Sequence, residues 1–452
     1  MSRVFLFSAN TTIEPYPVYP LGMAVLAGAL VAQGHEVHQL DFLACGCDEE
    51  RLRRELVEFA PDLVGMSLRN VDNIDSFCGE SAWYLSRARD LVKLIRAATA
   101  APLVVGGSAF SIMPEEILAY LEADYGIVGE GEGAICRLVA DLAEGREVPA
   151  LFRGEAKGLR GAEMAAPLYQ REWVDFYLRH SGIINLQTKR GCPYACSYCT
   201  YPSLEGKKFR PRPVAAVVDD LERIRRDHDQ ASVFFTDSIF NDPMGNYLEL
   251  AEEILRRDMV IRWCAFFRPQ GLGRRELALL KRAGLYALEL GTDAASDTTL
   301  AGMNKGFSFA EVEAVNEACL AEKLPCAHFI IFGGPGETPQ SVEEGLDNIT
   351  RLGPAVVFAF SGIRILPGAP LQAQAVREGI LPAGQSLLKP AYYYSQAIDP
   401  EIMNAAIECS FKGRRNRIFP PSEGQVRLAV MRKFGFNGIL WDKLISFGKK
   451  ES

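Results

Sequence analysis

Short apolar runs alternate with helical stretches twice along this chain, and that alternation constrains the fold more than any other feature. In the first series, Val4–Ser8, Val37–Asp41, Leu63–Ser67, Leu103–Val105 and Tyr125–Val128 read as strands. Leu21–Gln33, Leu52–Phe59, Trp83–Ala98, Pro114–Leu121 and a stretch ending near Ala143 read as helices, with Gly34 as a stop and Pro114 suited to a first turn. Such a pattern makes a parallel sheet covered on both faces, and ligands meet such sheets at the carboxyl ends of the strands. In the second series, Ile183–Gln187, Ser232–Thr236, Ile261–Phe266, Tyr286–Leu290, His328–Phe332 and Val356–Ile363 read as strands. Helices such as Val214–His228 and Tyr247–Arg257 fit between them. Six βα units are too few for a closed eight-fold barrel and suit a partial, open one. The expected α/β organisation is a doubly wound, Rossmann-like domain over 1–145, a linker over 146–180, a partial (β/α)6 TIM-like barrel over 181–375, and a smaller, mostly helical region over 376–452.

The chain has 452 residues, 48% hydrophobic and 23% charged, which is enough to bury more than one core. A formal charge of −8 argues against a nucleic-acid partner, which would favour a basic face. No signal peptide is legible, and no run approaches the roughly 18 apolar residues that span a bilayer. Eleven cysteines without a secretion signal imply thiols in a reducing compartment, so a cytoplasmic location is expected.

Three of those thiols carry the chemistry. Cys192, Cys196 and Cys199 lie within eight residues, in Lys189-Arg-Gly-Cys-Pro-Tyr-Ala-Cys-Ser-Tyr-Cys-Thr200, directly after a strand. Three thiolates are one short of a closed four-thiolate site. A [4Fe–4S] cluster held by three has one iron with an open position. A structural zinc site or chance clustering is the plain alternative. Tyr198, just before the last cysteine, can lie against a flat ligand.

Cys192-x3-Cys196-x2-Cys199 with an aromatic before the last cysteine resembles the radical S-adenosylmethionine (SAM) enzymes. The resemblance implies that the open iron chelates SAM and that an electron from the cluster yields a 5′-deoxyadenosyl radical. Later turns extend it over about residues 183–372. Phe235-Thr-Asp-Ser238 places Asp237 and Ser238 at the end of the second strand. Glu289-Leu-Gly-Thr-Asp293 closes the fourth, where the resemblance implies a ribose contact from the acidic residue, Glu289, and an amino-acid contact from the following turn, Gly291 and Thr292. Phe332-Gly-Gly-Pro-Gly-Glu-Thr338 resembles the family's glycine turn, which implies that Gly333, Gly334, Pro335 and Gly336 approach the adenosyl part. Ile365-Leu-Pro-Gly-Ala-Pro-Leu371 resembles another family turn. Taken singly, each glycine turn is more often a tight connection than a ligand contact.

The first domain resembles the cobalamin-binding domain that often precedes this barrel. The matching pieces are Tyr19-Pro-Leu-Gly-Met-Ala-Val-Leu-Ala27, Pro61-Asp-Leu-Val-Gly-Met-Ser67, Val104-Val-Gly-Gly-Ser108 and Val128-Gly-Glu-Gly-Glu132. They imply cobalamin contacts from Leu21, Gly22, Ser67, Gly106, Gly107, Ser108, Gly129, Glu130, Gly131 and Glu132. A domain that binds another nucleotide, or nothing, is the alternative. Asp-x-His-x-x-Gly, which supplies a lower histidine ligand in other cobalamin proteins, is missing, so cobalt is expected to carry water or nothing on its lower face. Ser108 stands where many relatives have histidine.

Other residues invite plainer readings. His35 and His328 are expected to be structural, and Cys264 and Cys326 small core residues. Lys207, Lys208 and Arg210 are expected to form a solvated face. Pro390–Tyr394 either roofs the site or packs as core.

The resemblance implies a cobalamin-dependent radical SAM enzyme. The expected reaction is methylation of an unactivated carbon (or of phosphinate phosphorus) through methylcobalamin and a 5′-deoxyadenosyl radical. Cyclisation, ring contraction or oxidation on the same cofactors is an alternative; others are a radical enzyme that has lost cobalamin and a ligand-sensing module without turnover. The expected partners are a small-molecule substrate and an external electron donor such as flavodoxin or ferredoxin. The look is closest to members found with lipid-biosynthesis genes, and the apolar Phe434–Trp441 is compatible with a lipid substrate, with membrane contact, or with core packing.

Overall fold

The computed structural model describes residues 1–14, 16–78, 83–154, 158–228 and 231–445. The first domain is a six-stranded parallel sheet of β1 (Arg3–Ser8), β2 (Glu36–Asp41), β3 (Leu63–Ser67), β4 (Leu103–Gly106), β5 (Tyr125–Val128) and β6 (Leu151–Arg153), in the order β2-β1-β3-β4-β5-β6. Alternation within each strand feeds two cores. Phe5, Phe7, Val64, Met66, Leu103 and Val105 pack on one face with residues of the helices Glu49–Phe59 and Leu85–Ala98. Val4, Leu6, Leu63, Val104 and Ile127 pack on the other with the helices Leu21–Ala32 and Glu132–Ala143. The chain leaves β1 towards β2 and returns on its other side to β3, so the sheet's switch point lies between β1 and β3, where doubly wound folds open a crevice.

The stretch expected as a linker carries structure at both ends. β6 pairs with β5, and the helix Arg171–His180 buries Trp173, Val174 and Tyr177. Tyr177 donates its hydroxyl to Asp41 at 2.6 Å. The strand is three residues long, too short to show a period.

The second sheet is an open parallel array of β7 (Ile183–Leu186), β8 (Ser232–Phe235), β9 (Arg262–Phe267), β10 (Leu288–Asp293), β11 (Cys326–Phe332), β12 (Val356–Ser361) and β13 (Arg417–Ile418), neighbours in sequence order. The seventh strand is a correction to the six expected: Val357 and Phe358 pair with Arg417 and Ile418, supplied from beyond the expected end of the barrel. The last expected strand is also shorter. Its chain breaks at Gly362, and Ile363–Arg364 pairs antiparallel with Tyr392–Tyr393. Outward residues such as Val233, Phe235, Trp263, Ala265, Leu288 and Leu290 pack under helices. Inward residues Ile183, Phe234, Cys264, Ala287 and Val356 meet Ile439, Trp441 and Leu444, which plug the floor.

The C-terminal apolar segment is therefore divided. Ile439, Leu440 and Trp441 are core, whereas Phe434 and Phe436 are 79% and 50% exposed. In Pro390–Tyr394, Tyr393 is buried and bonds Glu378 at 2.7 Å. Among the described residues no helix is long and apolar enough to cross a membrane.

Candidate active site

The cysteine loop leaves the carboxyl end of β7 and is pinned at its root by buried charge. Asp237, after β8, accepts hydrogen bonds from the Thr188 amide at 2.7 Å and from the Thr188 hydroxyl. Lys189 Nζ lies 3.3 Å from both Asp237 and Asp242 and donates to the Phe240 carbonyl at 2.6 Å. Ser238 Oγ donates to the Gly191 carbonyl at 3.0 Å. The sequence suggests Asp237 and Ser238 as cofactor contacts; in the fold both hold the root of the cysteine loop.

Farther along, the loop is held by backbone bonds from Cys192 N to Gly206 O, from Ser197 N to Met303 O, and from Leu371 N to Ser197 O. Cys196 lies close enough to Cys192 and Cys199 to raise the pKa of both. Burial, the larger effect, pushes Cys199 up to about 12 and raises Cys192, while Lys305 and Arg268 pull the other way. Among the described residues no three His, Cys, Asp or Glu side chains gather around one point as a single metal ion requires, which leaves the zinc alternative without support. A multi-iron cluster binds each thiolate to a different iron and does not need that convergence. The thiol set, with two cations beside it, fits such a cluster.

Tyr198 is tied down by its hydroxyl, 2.5 Å from Asp293 Oδ2. Lys305 also bonds Asp293 and lies over the Tyr198 and Phe307 rings. Asp293 and Lys305 were not singled out from the sequence. Asp293 stood in a noted motif, but the lysine is brought in by the turn after the helix Asp297–Gly302.

The other barrel candidates separate by face. Gly291 has open space on its inward side, with no side chain or backbone nearer than 3.8 Å to an added Cβ. Thr292 points outward, fully buried, and bonds His328 Nδ1 at 2.8 Å. His328 also meets Asn316, and burial lowers its pKa to about 3, as suits a structural histidine. Glu289 lies deep in the barrel, where Trp441 Nε1 donates to it at 3.0 Å.

In the Gly333–Gly336 turn, the backbone amides of Gly333 and Gly334 donate to the buried Glu337 carboxylate. Gly333 has φ +90°, and a Cβ there would lie 2.8 Å from the Tyr394 ring; one at Gly334 would lie 2.5 Å from Met303. The close approach these glycines permit is in part to the chain itself. Pro335 backs onto Gly302, and Gly336 has only Thr298 near it.

All ten first-domain candidates line one cavity of about 560 Å³. Leu21 and Gly22 open a helix, Ser67 ends β3, Gly106 ends β4 with Gly107 and Ser108 after it, and Gly129–Glu132 follow β5. Gly107 has φ +103°, and a Cβ there would lie 2.3 Å from the Leu68 carbonyl oxygen, so no other residue fits without moving that strand's exit. The opposite wall comes from the barrel: Asn185, Gln187, Thr200, Tyr201 and Thr236. Arg69 also lines the cavity, with Nη1 buried and lacking a hydrogen-bond partner. Bare backbone, hydroxyls and an unsatisfied guanidinium at a sheet's switch point fit a large polar cofactor with amide and phosphate groups.

Glu130 and Glu132 reach across to the cluster loop. Arg190 Nη2 lies 2.7 Å from Glu132, and Arg210 Nη2 lies 2.5 Å from Glu130. Arg210 therefore departs from the solvated face expected of it, while Lys207 and Lys208 remain exposed. Neither arginine stands out in sequence, because their partners lie 58 and 80 residues away.

The B12 binding domain family matches residues 13–139, and the radical SAM superfamily matches residues 186–349. Tryptophan 2-C-methyltransferase from Streptomyces laurentii is 29% identical, over 78% of this chain and 71% of that protein. The radical SAM methyltransferase TsrM from Kitasatospora setae, solved with cobalamin and a [4Fe–4S] cluster bound, is 25% identical with a TM-score of 0.85, over 98% of this chain and 97% of that one. Its structure with tryptophan substrate and the SAM analog aza-SAM has 24% identity and a TM-score of 0.86, over 98% of both chains. The cavity at the first sheet's switch point faces the thiol loop of the second, each within its matched domain, and the chain belongs to the cobalamin-dependent radical S-adenosylmethionine enzymes.

Proposed function

We propose that the protein is a C-methyltransferase that moves a methyl group from SAM to an unactivated carbon of a small molecule. The observation that carries this reading is the shared cavity: the carboxyl edge of the first sheet and the cluster side of the barrel form opposite walls of one space. When bound, cobalamin supplies a methyl carrier and the cluster with SAM supplies a one-electron route to a substrate radical. The chain's own residues position. Asp237, Lys189 and Ser238 fix the root of the cysteine loop, and the Arg190–Glu132 and Arg210–Glu130 pairs fix that loop against the first domain. Such fixed geometry gives selectivity to an otherwise indiscriminate reaction.

A lipid substrate is less favoured than a compact one. Of the apolar segment Phe434–Trp441 that suggested it, Ile439 to Trp441 are consumed by the barrel floor, while Phe434 and Phe436 stay exposed. The relatives named above act on, or were solved with, tryptophan. The test is anaerobic turnover of the reconstituted enzyme with methyl-labelled SAM and candidate acceptors. S-adenosylhomocysteine should form in step with labelled product, and 5′-deoxyadenosine alongside it marks an unactivated carbon. Label recovered only in SAM and methionine, with 5′-deoxyadenosine but no S-adenosylhomocysteine, would sink methyl transfer in favour of oxidation or cyclisation.

A further inference from the structure

The barrel lumen above its floor holds an acidic group, Glu289, that no cation among the described residues neutralises. Strand alternation fixes the inward face: Phe234, Cys264, Ala287 and Val356 pack on Trp441. Two residues beyond Cys264 and Ala287, at the next inward positions, stand Phe266 and Glu289, paired with each other across β9 and β10. Phe266 is 39% exposed although it faces inward, so the lumen is open at this level. It stands edge-on to Phe234, at 5.0 Å between ring centroids, and Tyr16 approaches Phe234 at 6.4 Å. Asn185 and Thr236, one inward position above Ile183 and Phe234, line the cavity shared with the first domain, so the barrel's inward face runs from the lumen to the cavity wall. The Tyr16 phenol is near enough to feel both the Glu289 carboxyl and the cavity's Arg69.

Glu289 is 5% exposed. One oxygen accepts from Trp441; the other has no hydrogen-bond partner, and no cation pairs with the carboxyl, among the described residues. Burial without a counter-ion pushes it up to about 7. A buried carboxylate costs several kcal/mol unless it is paired, and one facing open aromatic space is completed by a ligand that brings the missing donor. Aromatic rings around it favour a flat body and tolerate a positive charge over their faces.

We infer that Glu289 is a specificity-determining residue at the base of the substrate chamber, selecting a flat apolar molecule whose buried end carries a nitrogen that donates a hydrogen bond or bears a proton. This rests on the reading of the cavity as a substrate site and names the class of acceptor. The Trp441 bond orients the carboxyl, while Phe266 and Tyr16 wall the chamber.

The test is binding, not turnover. Tryptamine and 3-indolepropionate share a ring and a two-carbon arm and differ in an ammonium against a carboxylate. Titrated calorimetrically into the cluster- and cobalamin-loaded enzyme, tryptamine should bind at least about tenfold tighter. Glu289→Gln keeps an acceptor for Trp441 but removes the charge, and should bring the two probes to within about threefold. Its cluster and corrin spectra should match those of the wild type. Equal binding of the probes by the wild type, preference for the carboxylate, binding of neither, or an unchanged preference in Glu289→Gln would each overturn the inference. Because no methyl transfer is read, failure of the proposed reaction leaves this outcome intact, and the reverse also holds.

Discussion

Replacing Arg190 by Met should do more damage than replacing Arg190 and Glu132 together. The pair sits between the cobalamin-binding domain and the root of the cluster loop, with two contacts, Nη2 at 2.7 Å and Nη1 at 3.1 Å, and side chains only 11% and 6% exposed. At that burial the desolvation of both ions has already been borne, and their attraction about balances it. Removing the arginine leaves Glu132 as an uncompensated buried charge, a loss of about 3 kcal/mol or more. Arg190 also lies 3.6 Å from Glu130, but Glu130 keeps Arg210 in the variant, so the orphan is Glu132. In urea, with a slope of about 3 kcal/mol per molar for a unit of this size, Arg190→Met should lower the unfolding midpoint by about 1 M. Glu132→Leu should do the same. The double variant, with no charge left unpaired, should lie within about 0.5 M of the wild type. Circular dichroism across the titration reads all four proteins. Singles that shift by less than about 0.2 M, or a double equal to the sum of the singles, would refute the view that these ions are buried and mutually dependent.

Other outcomes follow from the same geometry. Cys196→Ala should abolish cluster assembly, read as iron and sulfide content after anaerobic reconstitution, while leaving cobalamin retention intact. Asp237→Ala leaves Lys189 with Asp242 alone and frees the Thr188 amide; cluster content should fall severalfold even though no thiol is touched. His328, held near pKa 3 in the folded state, takes up a proton on unfolding at pH below about 6.5, so its contribution to stability is lost as pH falls from there. His328→Asn should therefore gain stability relative to the wild type between pH 7 and about pH 5, read from paired urea midpoints. Gly107→Ala, with its Cβ 2.3 Å from the Leu68 carbonyl oxygen at φ +103°, should lower cobalamin retention on gel filtration more than Gly22→Ala, where nothing lies within 4 Å.

Strand positions and sheet class were legible because each strand is a short apolar run between helices, and β3, β5 and the helix Pro114–Leu121 fall where the sequence places them. What the sequence hid is of two kinds. β6 and β13 have three and two residues, too few for any period, and exist because an edge of a sheet is there to receive them. The second kind is partnership across the fold. Arg210 looks like one more charge after Lys207 and Lys208, and only the meeting of the two domains buries it against Glu130. Thr292 and Gly291 are adjacent in one motif, yet strand alternation sends one outward to His328 and the other into the lumen.

Satisfaction of polar groups sorts the remaining candidates better than motif membership does. Asp237, Thr292, Glu130, Glu132 and Glu337 all belong to segments that suggested cofactor contact, and all find partners within the chain. A group already paired loses those bonds if it turns to a ligand, so each of these five has a positioning task within the chain whether or not it also meets a cofactor. Arg69 and Glu289 are the reverse case: Arg69 Nη1 is buried without a hydrogen-bond partner, and Glu289 accepts from Trp441 alone among the described residues. One lines the cavity at the first sheet's switch point and the other lies at the deep end of the barrel. A buried charge without a partner is costly to keep, so each is a group that a bound molecule would complete, Arg69 by the amide or phosphate groups of the cofactor and Glu289 by a donor on the substrate.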